Sequence, residues 1–148
     1  MIQAWNRHLA KEREHWNSLT VAHQADATGE IFEIARRIHV NDPDTEGDRP
    51  GGTQRVLKFS NGSKYRCMTA MGNYGASGSD TYALHVSEAA LLENKSGQDA
   101  DNLTAMVNSM PQGEGAIDTS LVLEGTGNGP FGDVPSDLHG GGRSAVGQ

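Results

Sequence analysis

The sequence predicts an α/β layered sheet with flanking helices and one β-hairpin, and three observations carry that reading. The run Tyr82-Ala83-Leu84-His85-Val86-Ser87-Glu88-Ala89-Ala90 is short, apolar and ends in a carboxylate, with a Gly/Ser-rich stretch, Gly72 to Ser79, before it. A second apolar run, Ser120 to Leu123, ends in Glu124-Gly125-Thr126-Gly127-Asn128-Gly129. A helical pattern over Asp26 to Ile38 alternates with such runs. Short apolar runs bounded by turn residues suit buried strands, and alternation with helices suits a layered sheet. Ligands in open α/β sheets bind at the carboxyl ends of strands. Two buried strands with polar carboxyl ends therefore suggest a nucleotide-hydrolase type of core.

The elements follow in order. Gln3 to Trp16 reads as a helix with an incomplete apolar stripe of Trp5, Leu9 and Trp16. Leu19-Thr20-Val21-Ala22-His23 reads as a buried strand. Over Asp26 to Ile38 the apolar face is Ile31, Ile34 (or Ala35) and Ile38, and Arg36-Arg37 suit the carboxyl end of the helix. Val40 to Gly52, with two prolines, three glycines and four acidic residues, reads as a loop. Arg55–Phe59 and Lys64–Met68 flank Ser60-Asn61-Gly62-Ser63, which predicts a hairpin with a tight type I′ turn at Asn-Gly. Asp99 to Ser109 reads as a helix with Leu103, Met106 and Val107 on one face, and Thr119 to Glu124 as the last strand. The glycine-rich tail, residues 134–148, reads as disordered.

Composition narrows the function classes. Leu, Ile, Val and Phe number 26 of 148 residues, which predicts a thin core. Residues 1–66 hold 10 Lys/Arg against 9 Asp/Glu, and residues 67–148 hold 2 against 10. Gripping DNA through its phosphates needs clustered cations, and this segment has no such patch. The single cysteine, Cys67, allows no internal disulfide and no Cys-based metal site. No apolar run reaches the ~20 residues of a membrane helix.

The candidate chemical groups each have a structural alternative. Glu88, at the end of its strand, can orient an attacking water or hold magnesium through water. It can equally open a helix at Ala89-Ala90-Leu91-Leu92, where a carboxylate favours the helix dipole. Ser87 stands where many such enzymes carry Asp. Thr126 and Asn128 can contact a γ-phosphate, or simply belong to a turn-rich exit from the strand. His23 and His85 read as hydrogen-bonded core histidines, because further metal ligands at suitable spacing are absent from the sequence. Cys67, Trp5 and Trp16 read as packing residues.

Taken together, the pieces resemble the ATPase region of the large terminase subunit of tailed bacteriophages, a P-loop NTPase-like layered sheet. The likeness runs from Leu19–His23 through Leu57 to Ala70. It is most specific at Leu84-His85-Val86-Ser87-Glu88-Ala89-Ala90, which is similar to the family's Leu-His-Leu-Ser-Glu-x-Ala form of the Walker B strand. It closes at Leu121-Val122-Leu123-Glu124-Gly125-Thr126-Gly127-Asn128-Gly129-Pro130, similar to the family's Glu-Ser-Thr-Ala-Asn-Gly coupling motif. The resemblance implies hydrolysis of ATP with Mg to drive double-stranded DNA into a capsid. It implies a portal and a small terminase subunit as partners, a ring-shaped homo-oligomer for the full-length parent, and the host cytoplasm as location. It makes Glu88 the catalytic carboxylate, Ser87 its Walker B partner at the magnesium with Glu88, and Thr126 and Asn128 the coupling residues at the nucleotide.

The chain departs from the family pattern at several points. No Gly-Lys-Ser/Thr of a Walker A loop occurs, and Tyr74–Ser79 has no arginine where the family commonly has one. Gly125 and Gly127 stand where Ser and Ala are usual. The reading is therefore residues 1–133 as a partial ATPase domain lacking Walker A, inactive alone. Its rival is a non-catalytic α/β scaffold or assembly module derived from a terminase.

Overall fold

In the computed structural model the described residues are 1–45, 50–51, 55–70, 80–89, 104–111 and 119–125. They form a six-stranded mixed sheet with helices packed against it. The order of elements is α1 (Ile2–Glu12), β1 (Asn17–Ala22), α2 (Ala25–Val40), β2 (Pro50–Gly51), β3 (Val56–Lys58), β4 (Lys64–Thr69), β5 (Ala83–Ser87) and β6 (Ser120–Leu123). The sheet order is β2-β3-β4-β1-β5-β6. β4, β1, β5 and β6 run parallel, while β2–β3 and β3–β4 are antiparallel. β2 falls inside the stretch read as a loop, and its two residues pair with Val56 and Leu57.

Burial follows strand position. β5 lies between two parallel neighbours, and all five of its residues are buried. Side chains alternate across the sheet. On one face Leu9 and Ala10 of α1 and Phe32 and Ala35 of α2 meet Tyr65 and Ala83. On the other, Leu19, Val21, Leu84 and Val86 meet Met106 and Met110. Met106 belongs to a helical segment at 104–108, inside the predicted helix Asp99–Ser109. Leu103, the helix beyond Ala89 and the predicted tail lie outside the described residues.

Of the face predicted for α2, Ala35 is buried and Ile31 packs against the core, while Ile34 and Ile38 stay outside it. The buried residues of α2 are Thr28, Phe32, Ala35 and His39, and Ile34 and Ile38 are exposed. The two polar residues find partners that sequence hydropathy does not register. Thr28 Oγ1 bonds Thr69 Oγ1 at 3.0 Å, and Arg7 Nη2 lies 3.5 Å from His39 Nδ1. In α1, Trp5 is exposed and Leu9 buried, and the helix ends at Glu12 rather than Trp16. Trp16 is buried after the helix, stacked on Tyr82 at 4.9 Å, with the Arg13 guanidinium 4.4 Å from its ring centre.

Two polar devices hold α1 in place. Arg7, only 4% exposed, pairs with Asp42 at 2.7 Å, and Lys11 reaches both Asp42 and Asp44. The Lys11 ammonium and then the Arg7 guanidinium hold the Asp42 carboxyl far below the usual carboxylate range. At the carboxyl end of α1, the Asn61 amide donates to the carbonyls of Ala10, Lys11 and Arg13. The Ser63 hydroxyl donates to the Arg13 carbonyl and accepts from the Trp16 amide at 2.8 Å. Helix carboxyl ends leave carbonyls without intrahelical partners, and the hairpin turn supplies them.

The hairpin itself is confirmed, but its turn is not type I′. Gly62 has φ 82°, whereas Asn61 is not in the positive-φ region that type I′ also requires. The loop closes through Gly62 N–H to Phe59 carbonyl and Phe59 N–H to Ser63 carbonyl. A Cβ at Gly62 would stand 2.7 Å from His15 Nδ1, so both space and φ demand glycine there.

Two outcomes follow for stability. Asp42→Asn leaves Arg7 buried without its counter-charge and should cost about 3 kcal/mol in urea unfolding at pH 7. Because the folded-state pKa of Asp42 is depressed, its contribution is present above the unfolded value near ~3.9 and is lost as pH falls below it. The variant should therefore show a shallower stability loss than the parent chain on acidification. Asn61→Ala removes the bonds to three carbonyls and should lower stability by about 1–2 kcal/mol.

Candidate functional site

The parallel register decides which side chains meet at the carboxyl edge of the sheet. Thr20 of β1 lies between Cys67 of β4 and His85 of β5, and Ala22 lies between Thr69 and Ser87. His85 pairs with Val122 and Val86 with Leu123 of β6, so Ser87 comes opposite Glu124. One face of the sheet thus carries Thr69, Ser87 and Glu124 at its rim, with Cys67, Thr20 and His85 one layer below. α2 begins at the same rim, tied there by the Thr28–Thr69 hydroxyl bond.

Glu88 is the first residue beyond β5 and has φ 58°, in the left-handed region. For a residue with a Cβ that conformation costs roughly 1–2 kcal/mol, so its surroundings must hold it. The flanking bonds come from Glu124, the first residue beyond β6. Glu124 N–H donates to the Val86 carbonyl at 3.0 Å, and Ala89 N–H donates to the Glu124 carbonyl at 2.8 Å. Ser87 is buried and Glu88 half-buried.

Glu124 also gathers side chains. Ser87 Oγ donates to Glu124 Oε1 at 3.0 Å. His85 Nε2 lies 3.3 Å from Glu124 Oε2, but neither ring nitrogen of the buried His85 makes a hydrogen bond. Burial lowers the His85 pKa, and the Glu124 carboxylate opposes that shift. The expectation of a core histidine holds for His85, but the expected hydrogen bond is missing. His23 follows β1 at the same rim, and its Nδ1 is likewise buried without a partner.

Cys67 is a packing residue. Its thiol donates to the Tyr65 hydroxyl at 3.2 Å, which donates to the Thr20 hydroxyl at 3.2 Å. Burial pushes the thiol up to about 12. The nucleophile is the thiolate, so this group is inert near neutral pH.

Of the residues singled out from the sequence, Ser87 and Glu88 are brought together at the rim. Thr126 and Asn128 lie outside the described residues. Glu124 has no separate role in the sequence reading, although it ends β6 as Glu88 ends β5. That equivalence is the signal that marks it. Among the described residues no group of three or more His, Cys, Asp and Glu side chains could hold a metal ion. Ser87 and Glu88 offer oxygen donors, which suit magnesium held through water. No helix among the described residues is long and apolar enough to cross a membrane.

No protein-family model matches the chain, and no curated protein matches it in sequence. Among solved structures, the large terminase of bacteriophage HK97 is similar in fold, with a TM-score of 0.67 and 12% sequence identity. The match covers 84% of this chain and 26% of that terminase, so the chain spans about a quarter of its length. At that identity the likeness is one of fold, a terminase-like layered α/β sheet.

The buried thiol gives a direct check. Ellman's reagent at pH 8 should react with Cys67 at least about 100-fold more slowly in the folded chain than in denaturant. Comparable rates would place the thiol at the surface.

Proposed function

We propose that this chain is the Walker B-bearing part of a nucleotide-hydrolysing motor domain of the terminase type, which moves double-stranded DNA into a capsid. The observation that carries the reading is the placement of Ser87-Glu88. The pair ends a fully buried parallel strand, and Glu88 is turned out of the strand by its left-handed backbone. The fold likeness to a phage large terminase supports the same assignment.

In this reading Glu88 orients the water that attacks the γ-phosphate of ATP and draws its proton. Ser87 and Glu88 would hold magnesium through water, and the ion would offset the charge of the phosphates. The proton of Ser87 points to Glu124, which leaves the Ser87 oxygen lone pairs for a magnesium-bound water. Thr126 and Asn128 would report loss of the phosphate to the elements beyond β6. Portal, small subunit and DNA are the partners of such a motor, and the host cytoplasm is where it works. The parent protein would act as a ring of like subunits.

The sequence contains no Gly-Lys-Ser/Thr, so within this chain no Walker A amides or lysine cradle the β- and γ-phosphates. The same observation favours a second reading, a terminase-derived scaffold without nucleotide turnover. Both readings predict no steady-state ATP hydrolysis by the 148-residue chain, and turnover abolished by Glu88→Gln would contradict that prediction.

Paramagnetic Mn2+ in place of Mg2+ separates the two. On the motor reading, Mn-ATP at concentrations on the order of 1 mM should broaden the amide resonances of Ser87 and Glu88 first. Glu88→Gln should weaken that broadening several-fold. Broadening that spares residues 85–89 would favour the scaffold.

A further inference from the structure

We infer that Glu124 is the positioning residue that holds Glu88 in its left-handed conformation at the rim of the sheet. The inference deepens the reading of Glu88 as the water-orienting carboxylate and rests on it for its functional meaning. Its geometry stands on four contacts. The backbone of Glu124 bonds Val86 on one side of the Ser87-Glu88 pair and Ala89 on the other. Its side chain bonds the Ser87 hydroxyl at 3.0 Å through one oxygen and faces His85 Nε2 at 3.3 Å through the other.

The backbone bonds alone leave Ser87-Glu88 spanning the gap between two anchored carbonyl and amide groups. The side-chain bond to Ser87 fixes the residue immediately before the left-handed one. It thereby removes the freedom by which Glu88 would relax to a negative φ. His85 is fully buried in the strand, and its Nε2 faces the second carboxylate oxygen. The Glu124 side chain is itself 45% exposed, so its removal opens no cavity in the core.

A mutant cycle on unfolding equilibria tests the assignment in the whole chain. Glu88→Gly relieves the cost of the left-handed backbone, less the extra entropy of glycine in the unfolded state, and should make the unfolding constant about fivefold smaller. In a Glu124→Ala background the anchor on Ser87 is lost, and the same substitution should gain less than about twofold. Glu124→Gln keeps an acceptor oxygen for the Ser87 hydroxyl and should restore the full gain. Ser87→Ala cuts the same bond from the other side and should abolish the gain as Glu124→Ala does.

An equal gain from Glu88→Gly in the parent and the Glu124→Ala background would overturn the inference. So would failure of Glu124→Gln to restore it. The cycle requires no nucleotide, so its outcome is independent of whether Mn-ATP finds Ser87 and Glu88.

Discussion

The register of β5 between β1 and β6 is the constraint on which the candidate site depends. Side chains alternate along a strand, so a slip of one residue would exchange the two faces of β5. Leu84 and Val86 would then face α1 and α2, and His85 and Ser87 would leave Glu124. The native register is fixed from both sides at once. Leu84 and Val86 join Leu19, Val21 and Met106 in one apolar cluster, while Ala83 joins the layer under α1 and α2. The small side chain of Ala83 lets the Trp16–Tyr82 stack and Tyr65 close that layer. Hydrophobic packing thus determines which polar atoms face one another at the rim, a few residues farther along the same strands.

The rest of the fold supports that arrangement at a distance. α1 has no strong apolar stripe, and its attachment relies on Leu9 and Ala10 together with Arg7, Lys11 and the cap from Asn61. These polar ties hold α1 beside α2, and α2 in turn reaches the rim through Thr28 and Thr69. The thin core predicted from composition is offset by directional bonds of this kind, several of them over buried groups where a missing partner would be costly.

The strands were legible because their apolar runs are continuous and bounded by turn residues. β5 and β6 fall within the predicted segments, each trimmed at its ends, whereas β1 begins at Asn17, two residues before the predicted start, and ends at Ala22. The hairpin was legible from Asn61-Gly62, but the role of Asn61 was not. Its amide serves the end of a helix some fifty positions earlier, a relation that no local pattern carries. Ile34 and Ile38 of α2 were misread because isoleucine outranks threonine and histidine in hydropathy, whereas Thr28 and His39 become buried beside Phe32 and Ala35 through partners on β4 and α1. Glu88 and Ser87 were legible as a strand ending. The left-handed turn at Glu88 and the part of Glu124 in flanking it follow from the pairing of β5 with β6, which sequence separation conceals.

The candidate site therefore turns on one backbone angle. The φ of Glu88 in solution, from three-bond amide–α-proton couplings and backbone chemical shifts of the labelled chain, tests it most directly. The account predicts a positive angle near the 58° of the structure. A negative φ, extended or helical, would mean that β5 runs on without turning its carboxylate to the rim, and would contradict the site as described.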